Sequence, residues 1–105
     1  MEARKNDAEK PRFDLLSPSL LEDTARVMAF GARKYGDRNY LNGAGLRFGR
    51  VFAALMRHLW AWWRGEDSDE ETGISHLAHA ACNLMMLYDL VERGGQDDRP
   101  SRKTT

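Results

Sequence analysis

The chain has 105 residues, with 16 Lys and Arg against 16 Asp and Glu, three His, one Cys and an apolar fraction of 42%. That length suits one domain with a thin core, so self-association would help it. A single Cys excludes an intramolecular disulfide framework and a cysteine-based zinc site. The apolar stretches are broken by Arg or His, so none should span a bilayer. Residues 1–10 are charged and lack the apolar run of a secretory signal. The expectation is a soluble, cytoplasmic protein with no membrane partner.

The neutral total hides an asymmetry. Residues 1–64 hold 12 Lys and Arg against 7 Asp and Glu, a balance of +5, and residues 65–105 hold 4 against 9, a balance of −5. A basic half beside an acidic half suits self-association or a site that needs both signs, such as one holding metal and phosphate. A duplex-binding domain would more often be basic throughout, which makes nucleic acid an unlikely partner.

In chain order, residues 1–10 read as a disordered arm. Lys10–Leu16 is too short and too Pro-bounded for a helix. Ser17-Pro18 is a helix start, with Ser as N-cap and Pro at the first helical position. The first helix is predicted to run to Tyr35, with Leu20, Leu21, Thr24, Val27, Met28 and Gly31 at helical spacing and Gly36 as its stop. Residues 36–45 carry turn formers throughout. A second helix is predicted over 46–64, with Phe48, Phe52, Leu55, Leu59 and Trp62 on one face. An acidic segment, Glu66-Asp67-Ser68-Asp69-Glu70-Glu71, leads to a third helix that starts near Thr72 or Ser75 and ends near Arg93. Gly94-Gly95 stops it, and the polar residues 94–105 read as a disordered tail. No period-two pattern appears. The predicted fold is therefore all-α: three principal helices over residues 11–93, forming a bundle completed by homo-oligomerisation.

Three groups of residues can carry chemistry. In the first, Glu66, Asp69 and Glu71 precede His76 and His79, which share a helix face; Asn83 continues that stripe. Buried, such polar groups need partners, and carboxylates could supply them with or without a divalent cation. Oxygen ligands favour Mg²⁺ or Mn²⁺, and imidazole moves the preference toward Mn²⁺ and softer ions. The same residues also fit a solvated linker whose acids favour a helix N-terminus. In the second, Arg57 and His58 lie beside Trp60, Trp62 and Trp63. A guanidinium suits phosphate and an aromatic suits a base, but Trp and Arg are equally at home in a dimer interface. In the third, the cations Lys34 and Arg38, the aromatics Tyr35 and Tyr40 and the amide Asn39 sit at a helix end and its loop. They could grip a nucleotide, or simply be cations near a helix C-terminus and ordinary turn residues. No phosphate-cradling glycine motif is present.

Together, Lys10-Pro11-Arg12-Phe13-Asp14-Leu15-Leu16, Gly31-Ala32-Arg33-Lys34-Tyr35-Gly36 with Asn39-Tyr40, Arg57-His58-Leu59 through Trp62 to Glu66-Asp67 and Gly73, and His76-Leu77-x-His79-Ala80-x-x-Asn83 resemble the dATP/dGTP diphosphohydrolase N-terminal-type domain of phage and prophage proteins. That group includes MazZ-type enzymes and is related to the MazG-like all-α nucleoside triphosphate pyrophosphohydrolases. The resemblance covers roughly residues 10–92. It implies a helical homodimer or higher homo-oligomer that uses Mg²⁺ or Mn²⁺ to cleave a purine deoxynucleoside triphosphate between its α and β phosphates. The usual MazG-type pattern, Glu-x-x-Glu on one helix and Glu-x-x-Asp on the next, is missing from these helices. Glu66-x-x-Asp69 has the second spacing but falls in a loop, and His76-x-x-His79 stands where helical acids are expected.

On this reading Glu66, Asp69 and Glu71 are the expected catalytic groups and first metal ligands, with His76 and His79 binding or orienting. Lys34 and Arg57 are expected on phosphates, with Asn39, Tyr40, His58, Trp62 and Asn83 as further substrate contacts. The rival reading is a non-catalytic helical module that binds a nucleotide or a protein.

Overall fold

The computed structural model describes residues 2–101 and 103. Among them are three α-helices, α1 (Pro18–Tyr35), α2 (Phe48–Trp63) and α3 (His76–Glu92), plus short 3₁₀ turns at Phe13–Leu15 and Asn39–Leu41. The one β-type pairing among the described residues is an isolated bridge between Ser68 and Ser75. The fold is thus all-α. No helix among the described residues is long and apolar enough to cross a membrane.

The helix starts follow local chemistry. Ser17 Oγ accepts from the Leu20 amide at 3.2 Å, and Pro18 occupies the first turn, where its missing N–H costs nothing. Gly36, at φ +96°, ends α1 by donating its amide to Ala32 O. Ser75 Oγ caps α3 by accepting from the Leu77 amide.

α2 has no capping side chain of its own at Arg47. Its exposed amides are satisfied from the far end of the chain. Phe48 N donates to Gln96 O at 3.0 Å, and Gly49 N donates to Asp98 Oδ1 at 2.7 Å. Residues 96–98, expected to belong to a disordered tail, therefore form a cap on α2. The physical reason is the set of unpaired N–H groups at a helix start, which any nearby acceptor can fill; composition alone does not reveal such a long-range pairing.

α3 is the central element, and α1 and α2 both pack on it. Its buried side is built from small residues, Ala78, Ala80 and Cys82, with Leu90 at its far end. One core cluster joins Tyr40, Phe48, Val51 and Leu90. A second joins Val27, Ala78 and Cys82, and Met28 and Met86 touch both. The packed side of α2 runs through Phe48, Val51 and Ala61, whereas Phe52 and Leu59 of the predicted stripe are exposed. α2 is apolar on two sides, and one of them faces away from α3. On α3, Leu77, Leu84 and Tyr88 likewise point outward. The Cα radius of gyration is 17.0 Å, against about 13 Å for a compact chain of this length.

The 39–46 loop is tied to the end of α3. The Tyr40 hydroxyl donates to Asp89 at 2.7 Å, and Arg93 donates to the carbonyls of Leu41 and Gly43. Gly45, at φ +79°, presses against this joint: a Cβ there would stand 2.7 Å from Leu90 Cδ2. A left-handed backbone and a fully buried neighbour both oppose a side chain. Gly45→Ala is expected to cost about 2–4 kcal/mol, a drop in Tm of about 10 °C or more by calorimetry.

Candidate functional site

All three histidines meet at the junction of α2, α3 and the acidic loop. His58 Nδ1 lies 2.9 Å from His76 Nδ1. The His58 ring stacks on His79 with centroids 4.5 Å apart. His76 Nε2 lies 2.9 Å from Glu66 Oε2. An ionised carboxylate can only accept, so His76 carries its proton on Nε2 and its Nδ1 lone pair faces His58. His58 then donates from Nδ1. His79 Nε2 lies 2.7 Å from Thr72 Oγ1, and that hydroxyl also accepts from the Ile74 amide.

Asp69 organises the loop. Its Oδ1 accepts from the amides of Glu71 and Thr72 at 2.9 and 3.0 Å and lies 3.4 Å from the Thr72 hydroxyl. The loop is closed by Asp69 N to Ile74 O, Gly73 N to Asp69 O and His76 N to Asp67 O. A run of five acids therefore adopts a defined shape that presents Asp69 to the imidazoles. His79 Nε2 lies 4.0 Å from Asp69 Oδ1.

Burial and the neighbouring imidazoles hold His58 down at about 4. Burial also lowers His79, against the opposing pull of Asp69. Burial would raise Asp69, but the Thr72 amide, the His79 ring and the Glu71 amide together outweigh it and keep the carboxyl below its usual range. His58 is thus neutral at pH 7. Unfolded imidazoles take up protons near pH 6.5, and the folded His58 only near about 4, so unfolding binds protons in that window. Stability of the metal-free protein is expected to be full above pH 6.5 and to fall on acidification, with a slope of up to about 1.4 kcal/mol per pH unit from His58. Urea titrations at pH 7, 6, 5 and 4.5 check this, and His58→Asn should flatten the profile.

Beside this cluster lies a cleft of about 480 Å³, within the range of small-molecule sites. The end of α1, the 36–46 loop, the acidic loop and one face of α3 enclose it. Of the residues expected from sequence, Lys34, Asn39, Tyr40, His58, Asp69, Glu71, His79 and Asn83 line it. Glu66 and His76 sit behind, reached through His58. Arg57 and Trp62 are not among the lining residues; Trp62 borders a separate apolar groove with Met56, Leu59, Trp60 and Trp63. Tyr40, expected to stack on a base, is packed in the core with its hydroxyl committed to Asp89. Burial and then Asp89 push its phenol up to about 12. Lys34 pairs with Glu71 at 2.9 Å across the cleft rim, and Glu71 holds its ammonium above the ordinary value.

Two more cations reach the cleft, and only the fold brings Arg50 there. Arg38 and Arg50 also line the cleft, and neither has an ion partner among the described residues. Arg50 comes from α2 and Arg38 from the preceding loop, a pairing that sequence spacing does not announce. Asn83 Oδ1 is buried at the cleft with no hydrogen-bond partner among the described residues, so a donor arriving there would satisfy it. Val27, Met28, Cys82 and Met86 give the cleft an apolar floor.

His58, Asp69 and His76 each place a ligand atom within 4.8 Å of the other two. Two donors about 2.1 Å from one ion, at right angles, stand about 3 Å apart, close to the observed 2.9 Å between the Nδ1 atoms. The donor set fits a divalent cation.

The cleft of this small all-α domain thus brings carboxylates and imidazoles together with the guanidiniums of Arg38 and Arg50. The chain belongs to the family described as dATP/dGTP diphosphohydrolase, N-terminal, whose model matches residues 1–99. It is 40% identical over 96 residues to a protein of Salmonella phage PMBT28 named dATP/dGTP diphosphohydrolase. That match takes in 90% of this chain but 32% of the phage protein, so the chain spans about a third of that relative's length. No solved structure matches the chain.

Proposed function

We propose that the chain provides the nucleotide cleft of a metal-dependent pyrophosphohydrolase acting on dATP and dGTP, yielding a deoxynucleoside monophosphate and pyrophosphate. The observation that carries this reading is one cleft in which Asp69, Glu71, His58 and His79 face Lys34, Arg38 and Arg50. The name of the phage relative supports the substrate class. His58, Asp69 and His76 would hold the ion, for which two imidazoles favour Mn²⁺ over Mg²⁺, with Glu66 fixing the His76 tautomer. When bound, the ion neutralises phosphate charge and acidifies a water.

The remaining roles fall to the chain's own groups. Lys34, Arg38 and Arg50 bind the phosphates as charge-assisted donors. The Asn83 amide meets the purine edge over the apolar floor. In hydrolysis, water oxygen bonds to the α phosphorus, the bond to the bridging oxygen breaks, and pyrophosphate leaves. The Glu71 carboxylate, at the cleft rim, takes the water's proton. The exposed apolar faces of α2 and α3 support a homo-oligomer.

A second reading, a nucleotide-binding module without turnover, has two observations in its favour. Glu66, Asp69 and Glu71 already have protein partners, and the chain covers 32% of its relative. Thermal melts test binding under either reading. Mn²⁺ with a dGTP analogue blocked at the α,β bridge should raise Tm; at 100 times Kd the gain is about 2.7 kcal/mol. No shift with any purine analogue would contradict both readings. A shift without turnover would select the second.

A further inference from the structure

The usual pattern for this chemistry is a set of helical carboxylates, and the chain instead commits all three of its histidines to one cluster. We propose that His58, Asp69 and His76 form a two-imidazole, one-carboxylate site for a single divalent transition-metal ion, of the Mn²⁺-to-Zn²⁺ class, that discriminates against Mg²⁺. The inference rests on the hydrolase reading only for the purpose of the ion; its binding is separately measurable.

The geometry points to this set and not to the acids of the loop. Three separate elements deliver the donors, α2, the acidic loop and α3, and they converge within 4.8 Å. His76 is 5% exposed, and Glu66 behind it holds its Nε2 proton. This is the outer partner that fixes a ligating histidine with the opposite nitrogen forward. Asp69 Oδ1 is taken up by the loop amides, which leaves Oδ2 with no hydrogen-bond partner among the described residues. His79 stacks flat on His58 at 17° and sets the orientation of that ring. Glu71 is held by Lys34 on the cleft rim, and Glu66 acts through His76.

The two Nδ1 atoms face each other across 2.9 Å. Without an ion they share one proton. For an ion to bind, the His58 proton moves from Nδ1 to Nε2 of the same ring, which has no hydrogen-bond partner among the described residues. No proton need leave the ring; the one hydrogen bond given up is that between the two Nδ1 atoms, and both lone pairs are then free for the ion. Two nitrogens of three donors set the preference. Mg²⁺ demands oxygen ligands and dehydrates reluctantly, whereas imidazole suits the later first-row ions, with affinity rising from Mn²⁺ toward Zn²⁺.

Titration calorimetry of the tag-free full chain with Mg²⁺, Mn²⁺, Co²⁺ or Zn²⁺ alone, without nucleotide, tests this. One equivalent of Co²⁺ or Zn²⁺ should bind, Mn²⁺ more weakly, and Mg²⁺ at least about 100-fold more weakly than Co²⁺. Proton NMR of the Co²⁺-loaded chain should show two exchangeable, hyperfine-shifted imidazole N–H signals, one lost in His58→Asn and the other in His76→Asn. Glu66→Gln should weaken Co²⁺ about 10- to 100-fold. If the variants fail to fold, the two signals of the unaltered protein still decide. Absence of those signals, or equal affinity for Mg²⁺ and Co²⁺, would overturn the proposal. Turnover with Mg²⁺ in a chain that ignores Co²⁺ would sink this site and leave the hydrolase reading standing. Co²⁺ binding in a chain without turnover would do the reverse.

Discussion

Leu90→Ala is expected to cost about 3–5 kcal/mol, the upper part of the range for a buried leucine. Leu90 is 0% exposed and joins Tyr40, Phe48 and Val51 in one cluster. It also meets Gly45, where the chain passes too close for a Cβ. Neither neighbour can collapse into the gap: Tyr40 is held by Asp89, and the Gly45 backbone is held by Gln96. A domain of this size has about 5–15 kcal/mol in total, so the variant should lie close to unfolding at 37 °C. Urea unfolding should show a lower midpoint at unchanged m-value. Leu84→Ala is the contrast. Leu84 lies on α3 but is 56% exposed, and the loss should be within about 0.5 kcal/mol at high dilution. A larger loss that grows with protein concentration would show that a second copy covers that face.

Asp69→Asn is expected to lower metal-dependent turnover at least about 100-fold, since even an outer partner of a metal ligand is worth 10- to 100-fold. The substitution separates two jobs of this side chain. An amide Oδ1 can still accept from the Glu71 and Thr72 amides, so the loop keeps its shape. The negative charge facing His58 and His79 disappears. Tm in the absence of metal should therefore move little, while turnover and the metal-induced gain in Tm are lost together. Retained turnover would remove Asp69 from the site. A collapse of Tm without metal would show instead that the carboxylate's role is structural.

What the sequence reveals follows the range of each interaction. Ser17-Pro18, Gly36 and the Gly94-Gly95 stop act within a turn of the backbone, and the three helices begin and end close to these marks. The side of α2 that packs is a different matter. Phe52 and Leu59 fit a helical stripe as well as Val51 does, and only the position of α3 decides between them. The cap on α2 from Asp98 joins residues 49 positions apart. The same limit governs the site. His76 and His79 are visible as one face of one helix, and the acidic loop is visible beside them. His58 is visible as a candidate on α2, but its place beside His76 is not, because that contact spans a helix end and a loop. Among the aromatics, Tyr35 and Tyr40 look alike in sequence, yet Tyr40 is buried and Tyr35 is 65% exposed.

Pyrophosphate release by the tag-free chain tests the central claim most directly. Each of the four deoxynucleoside triphosphates and GTP would be supplied with Mg²⁺, with Mn²⁺ and with EDTA. Release from dATP or dGTP with metal, abolished by EDTA and by Asp69→Asn, is the predicted result. No release from any nucleotide, by a chain that melts cooperatively and is not altered by metal, would contradict it and return the acidic loop to a connection between two helices.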